Sequence, residues 1–406
     1  MERVVIVDAL RTAFSRFGGA LREVPSVQLG AQVLAAVLER GNVPKDAVGE
    51  VFYGTCVTAE HALDMNILGR QALLKAGLPP ETLSLTLDRA CCSSTTALSL
   101  AFQAIASGEM DCAVSIGSEN MSRTPFLAPG LRFGRGLGPV TLSDPLHRLG
   151  YEDWNPVAVD AGEVALEHGI GREEQDAFAL RSQQRYQAAL TAGLFDEEIL
   201  PIEVPQPKGP PQRFARDEFP KPETTMEGLA RLKTIYGSPT VTAGNAPGLE
   251  AGASAILLMR EETAAERGLA PLGRVLSVAS VALRPDRMAE APAPAIRKAL
   301  GRAGLSLDDM ARLEINEAFA AVPLVATRVL AGEDDGLYRS LLERLNVHGG
   351  AVAIGHPVGA SGGRIVMTLL RELRRLGAGS RGVAAICGGL GQGDAVVVEA
   401  MGGGNG

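Results

Sequence analysis

Two stretches of this chain follow one plan, and that repetition limits its possible folds more than any other feature. Leu87 to Ser118 and Val347 to Gly389 each set polar or nucleophilic residues in a turn, continue with a helical pattern, and close with a short apolar strand ending in glycine. A duplicated α/β unit is the economical explanation, carried by the pattern because direct identity between the stretches is low. Duplication puts loops of both halves at a pseudo-twofold seam. The periodicity predicts strands at Val4 to Val7, Val51 to Cys56, Leu83 to Leu87 and Cys112 to Gly117, separated by helices around Leu29 to Leu38, Met65 to Ala76 and Ala97 to Ala106. Such alternation predicts a mainly parallel sheet covered on both faces. At 406 residues the chain exceeds one core. Aromatic residues are only 4% while glycines number 48, so helices and strands are expected to pack closely.

From about Ser118 the character shifts. Pro125, Pro129, Pro139, Pro145 and Pro156 interrupt a stretch poor in strands, and residues 163–193 read as two helices. Lys208, Arg213, Arg216, Lys221, Arg231 and Lys233 then make a locally basic segment, which by itself reads as a solvated face. This region looks like an insertion. The sheet pattern resumes at Ala253 to Met259 and continues through Val275 to Val281, Leu313 to Ile315 and Gly382 to Cys387, with a helix at Gly362 to Arg375. A net charge of −8 argues against a general nucleic-acid binder, while the basic segment leaves room for an anionic small ligand. Five cysteines, an odd number, fit a reducing compartment. With neither a signal-peptide layout nor an apolar run of membrane-spanning length, a cytoplasmic location is expected.

The chemistry concentrates at turns. In Asp88-Arg89-Ala90-Cys91-Cys92-Ser93-Ser94 a cysteine pair sits where a strand gives way to a helix. The unpaired N–H groups and dipole of a helix start favour negative charge, so a thiol there is expected to ionise more easily. Taken alone, the pair reads equally as two small residues packed in a tight turn. In the second half, Asn316-Glu317-Ala318-Phe319 follows a strand, His356 lies between glycines in Gly349 to Gly362, and Cys387 precedes Gly388-Gly389-Leu390-Gly391. Glycines there let backbone approach a ligand. Cys56 and Cys112 read as strand-core residues, His348 as a turn residue, and His168 as a helix C-terminus.

Together these motifs, with Val5 to Thr12, Glu119 to Ser122, Glu174 to Ala177 and Val241 to Ala246, resemble the thiolase family over essentially the whole length. The resemblance implies an α/β fold: duplicated thiolase-type half-domains in a five-layered α-β-α-β-α sandwich, with a mainly helical loop-domain insertion. It implies an N-terminal half of residues 1–119 and 250–270, a coenzyme A-binding loop domain of 120–249, and a C-terminal half of 271–406. By the same resemblance Cys91 is the nucleophile, His356 its activator and Cys387 the acid/base. Asn316 holds a water for one oxyanion with His356, and the N–H groups of Cys91 and Gly389 serve the other. Cys92 is expected to pack. Lys221, Tyr236, Ala246, Pro247 and Phe319 match positions along the coenzyme A path. Pro247 replaces a serine common in biosynthetic members, and Ala158 falls in a stretch that replaces a His-Met-Gly, which implies room for acyl groups longer than acetoacetyl. The implied activity is ping-pong acyl transfer between 3-ketoacyl-CoA and coenzyme A, without metal or prosthetic group. Ketoacyl synthases, which use a cysteine with two histidines, and hydroxymethylglutaryl-CoA synthase share the fold, but here Cys387 takes the second histidine's place and Asn316-Glu317-Ala318-Phe319 stands intact. An acetoacetyl-specific biosynthetic enzyme and a non-catalytic coenzyme A-binding scaffold are the alternatives. A homodimer or homotetramer is expected, with no nucleic-acid or membrane partner.

Overall fold

The computed structural model describes residues 2–147, 151–206 and 208–402. The N-terminal half contains β1 (Val4–Thr12), α1 (Ser26–Arg40), β2 (Glu50–Gly54), α2 (Leu68–Lys75), β3 (Leu83–Leu87), α3 (Ser93–Ala106) and β4 (Cys112–Asn120). An excursion bearing α4 (Val157–Glu167) and α5 (Arg172–Thr191) follows before the chain returns as β5 (Ala251–Arg260). The C-terminal half contains β6 (Gly273–Ala282), α6 (Pro292–Ala303), β7 (Arg312–Ile315), α7 (Ala321–Ala331), α8 (Asp335–Arg344), α9 (Ser361–Leu376), β8 (Arg381–Gly388) and β9 (Gln392–Ala400).

Strand directions reveal the duplication that the residue letters conceal. β1 is antiparallel to β5 and β5 to β4, while β4, β2 and β3 run parallel. β6, β9, β8 and β7 repeat those directions in that order, and a parallel bridge between Leu313 and Leu345 stands for the fifth strand. Val4 to Ile6 of β1 pair with Gly273 to Val275 of β6, which joins the nine strands of the two halves into one continuous sheet, and the short segment Ile199–Leu200 pairs beside β1 as a tenth among the described residues. The expectation of a mainly parallel sheet is therefore corrected: each half is mixed. β8 and β9 are joined by a glycine turn, and an antiparallel pair needs no more than that, whereas a parallel pair needs a crossover.

Alternation along the strands sorts side chains into layers. Val5 and Val7 join the core under α1, whereas Val4 and Ile6 join the central core with α3, α9 and the inner face of the other half. In β8, Ala384 and Ile386 face that centre, and Val383 and Ala385 face the outer core of the second half. The outcome is five layers, helix, sheet, helix, sheet, helix. The central layer tolerates little bulk. A methyl on Gly362 of α9 would lie 2.8 Å from the Thr95 nitrogen of α3, which is why small residues dominate where these helices cross.

The excursion is tied back to β1 by buried charge. Arg11 donates to Asp217 at 2.7 and 3.0 Å and to Glu198 at 2.8 Å, and Asp217 also accepts the Phe14 N–H at 2.7 Å. All three ionic side chains are buried. Removing one member of such a group leaves an uncompensated charge out of water, so Asp217→Ala is expected to lower stability by about 3–5 kcal/mol. Urea unfolding of the purified variant checks this.

Candidate active site

Four sequence segments converge at the seam. Cys91 stands two residues before the start of α3, on a turn forced by Ala90 at φ +50, a backbone conformation L-residues seldom adopt. His356 precedes α9 on a turn where Gly355 has φ +104. Asn316 directly follows β7, and Cys387 lies near the end of β8. Cys91, His356 and Gly389 line one cavity of about 280 Å³, together with Phe319, Pro247 and Gly248. Asn316 and Cys387 are fully buried just behind its wall.

Hydrogen bonds define the state of His356. Ser361 Oγ donates to the Pro357 carbonyl at 3.0 Å, so at 2.6 Å from His356 Nδ1 it acts as acceptor for an Nδ1–H. That tautomer leaves Nε2 as the free base. Asn316 Nδ2 is 3.5 Å from Nε2, and Arg364 Nη2 holds the Asn316 Oδ1 at 3.5 Å, which turns the amide nitrogen toward the histidine. Burial, with Arg364 nearby, pushes the imidazole down to about 3.

The turn itself rests on two buried carboxylates. Glu250 Oε2 accepts the His356 N–H at 2.6 Å. Glu119 accepts the N–H groups of Gly359 at 3.1 Å, Cys56 at 3.0 Å and Val57 at 3.1 Å. Burial raises Glu119 to about 8 and Glu250 to about 7.

Several expectations need correction. Cys91 is not a ready thiolate: burial pushes its thiol up to about 12, and Glu119 and Asp88 add to the rise. The N–H groups of Cys91 and Gly389 act the other way but do not prevail. Cys56 is not a strand-core residue, because β2 ends at Gly54 and Cys56 lines the cavity. Ala158 is buried in the outer core, and its neighbour Val157 meets the cavity instead. Ala246 is buried in that same core, and Tyr236 stands half-exposed, so neither is on the cavity wall. Lys221 lines an adjoining cleft of about 390 Å³ that shares Gly248 with the first, its ammonium 4.7 Å over the Phe219 ring. Cys92 packs as expected, and Cys112 lies in strand core. His348 pairs with Glu372 at 2.8 Å, away from the cavity.

Sequence reasoning passed over Glu250, Ser361, Cys56 and Tyr151. Glu250 carried a readable signal, a lone acid at the head of an otherwise apolar strand. Tyr151 carried none, since it lies in a loop without periodicity.

The geometry defines an enzyme class: a duplicated α/β fold with a cysteine and a histidine, one from each half, facing one cavity. Residues 4–262 match the family described as Thiolase, N-terminal domain, and residues 269–400 match Thiolase, C-terminal domain. The chain belongs to the thiolase family. It is 44% identical over 400 residues to an acetyl-CoA acetyltransferase of Chromobacterium violaceum, covering 98% of this chain and 99% of that protein. It is 43% identical over 408 residues to a beta-ketoadipyl-CoA thiolase of Pseudomonas aeruginosa, covering 98% and 99%. Human mitochondrial 3-ketoacyl-CoA thiolase, solved in complex with CoA, superimposes with a TM-score of 0.90 at 37% identity over 98% of each chain. The Bacillus anthracis acetyl-CoA acetyltransferase gives 0.92 at 36% over 99% of each.

Two outcomes test this description of the site. A thiol near 12 is about 10⁻⁵ ionised at neutral pH. The rate of Cys91 alkylation by iodoacetamide, followed by peptide mass spectrometry, should therefore climb steadily from pH 6 to 9, whereas a plateau below pH 8 would show a preformed thiolate. Loss of the Nδ1 acceptor in Ser361→Ala should lower kcat about tenfold with little change in KM.

Proposed function

We propose that this thiolase cleaves 3-ketoacyl-CoA with coenzyme A, giving acetyl-CoA and an acyl-CoA shortened by two carbons, through an acyl group carried on Cys91. The observation that carries this reading is the cavity shared by Cys91, His356 with its unprotonated Nε2, and Gly389. His356 takes the Cys91 proton as sulfur attacks the 3-keto carbon. Charge on that oxygen is met by the N–H groups of Cys91 and Gly389. The C2–C3 bond then breaks and its electron pair passes to C2, leaving the enolate of acetyl-CoA. His356 and a water held by Asn316 steady the enolate oxygen while Cys387 protonates C2. Incoming coenzyme A gives its thiol proton to Cys387, attacks the acyl carbon and releases Cys91, which regains its proton from His356. Every proton is returned.

Phe319, Pro247 and Gly248 line the path by which a pantetheine arm reaches Cys91, and Lys221 in the adjoining cleft offers a cation to the nucleotide phosphates. Tyr236 and Ala246 have no contact role in this reading. The described residues lining the cavity are mostly apolar, which suits an acyl chain. The β3 edge, with Leu83 59% and Leu85 42% exposed, supports at least a homodimer. Five free cysteines fit a cytoplasmic setting. No helix of the described residues is long and apolar enough to cross a membrane.

Steady-state thiolysis of 3-ketoacyl-CoAs from four carbons upward tests the reading. Turnover should fall by at least about 10³-fold in Cys91→Ala and about 10²–10⁴-fold in Cys387→Ala. Coenzyme A binding without turnover at any length would leave only the scaffold alternative.

A further inference from the structure

Tyr151 reaches the catalytic cavity from the excursion, although nothing in the proton transfers above uses it. Its hydroxyl lies against Gly389 so closely that a methyl on that glycine would overlap the phenol oxygen. Gly389 is one of the two residues whose N–H groups are directed at the Cys91 sulfur. A phenol oxygen at that place sits at the rim of the region where those two donors converge. Among the described residues the hydroxyl has no hydrogen-bond partner, and the side chain is 39% exposed. A phenol is protonated at working pH, and partial desolvation with Cys91 beside it raises Tyr151 further. A protonated O–H beside two backbone donors has the composition of an oxyanion site, where preorganised donors lower the barrier.

We propose that Tyr151 is a third donor to the oxyanion that forms on the acyl carbon bound to Cys91. The proposal rests on the thiolase reading of the same site. In deacylation the coenzyme A sulfur bonds to the acyl carbon, the carbonyl π pair moves onto oxygen, and the hydroxyl of Tyr151 donates to that oxygen alongside Cys91 and Gly389. As the pair returns, the bond to Cys91 sulfur breaks and the Tyr151 hydroxyl retains its proton. The same donor serves the reverse step when Cys91 attacks. Because charge on this oxygen peaks in the transition state, the hydroxyl contributes mainly to kcat.

Tyr151→Phe keeps the shape of the side chain and removes only the donor. Thiolysis by the variant should show kcat lowered about 10²-fold, at the low end of the cost of one oxyanion donor, with KM changed by less than about twofold. Tyr151→Ala should lose at least as much. Single-turnover mass spectrometry should find both acylation and deacylation of Cys91 slowed in Tyr151→Phe. If Tyr151→Phe matches the wild type within about twofold, the proposal is overturned, whatever Tyr151→Ala does, since the side chain then acts only by shape. A wild type inactive toward every 3-ketoacyl-CoA would instead overturn the thiolase reading, which keeps the two failures distinct.

Discussion

The site depends on one buried carboxylate. Glu119, at the end of β4, accepts backbone N–H groups from Cys56 and Val57 of its own half and from Gly359 of the other. Three donors on two oxygens are what a carboxylate can accommodate and an amide cannot, because an amide nitrogen offers no lone pair. Burial favours the neutral acid, and those bonds favour its charged form only while both turns stay in place. Glu250 does the same for the His356 N–H from the neighbouring strand. The histidine turn of one half is thus moulded on acids of the other. Glycine follows from this contact: at Gly355 a side chain would strike Glu250, and at Gly117 it would strike the Gly359 carbonyl.

Those same acids set the electrostatics of the nucleophile. Glu119 and Asp88 oppose a thiolate at Cys91, and burial opposes it more strongly. His356, buried and near Arg364, resists a proton. Both groups therefore rest neutral, and in the proposed reaction charge separates only as the sulfur attacks. At that moment the Asn316 amide, held by Arg364, and the N–H groups beside Cys91 are already aimed. Preorganised donors in a dry site act more strongly than water would, since they need no reorientation during the reaction.

Much of the architecture was legible because it follows from apolar runs. β3 matches its expected span residue for residue, and α9 and β8 differ from expectation only at their ends. Cys91, His356 and Gly389 stood out because turns at strand ends concentrate unusual residues. Strand direction was not legible, since an apolar run reads the same in either sense and only the connection decides it. Cys56 was misplaced because β2 stops at Gly54, two residues before the apolar pattern does. Ala158 and Val157 exchanged roles because one residue turns a helix face by about 100°, and a loop-anchored helix shows no register until its partners are known. Ionisation of Cys91 was not legible, because a helix start shows in the sequence and the burial that outweighs it does not.

The duplication itself explains how one fold supplies unlike functional groups. Cys91 lies before α3, and the His356 turn lies before the matching helix α9. Cys56 follows β2, and Asn316 follows the matching strand β7. Cys387 sits at the end of β8, the counterpart of β4 with Glu119. Each structural position therefore occurs twice around the seam, once for each role. Cys91 and His356, which precede α3 and α9, both line the cavity. Strict twofold symmetry would have placed two identical groups there. Two cysteines without a base, or two histidines without a nucleophile, have no acyl-transfer chemistry, so divergence between the halves is what the reaction requires.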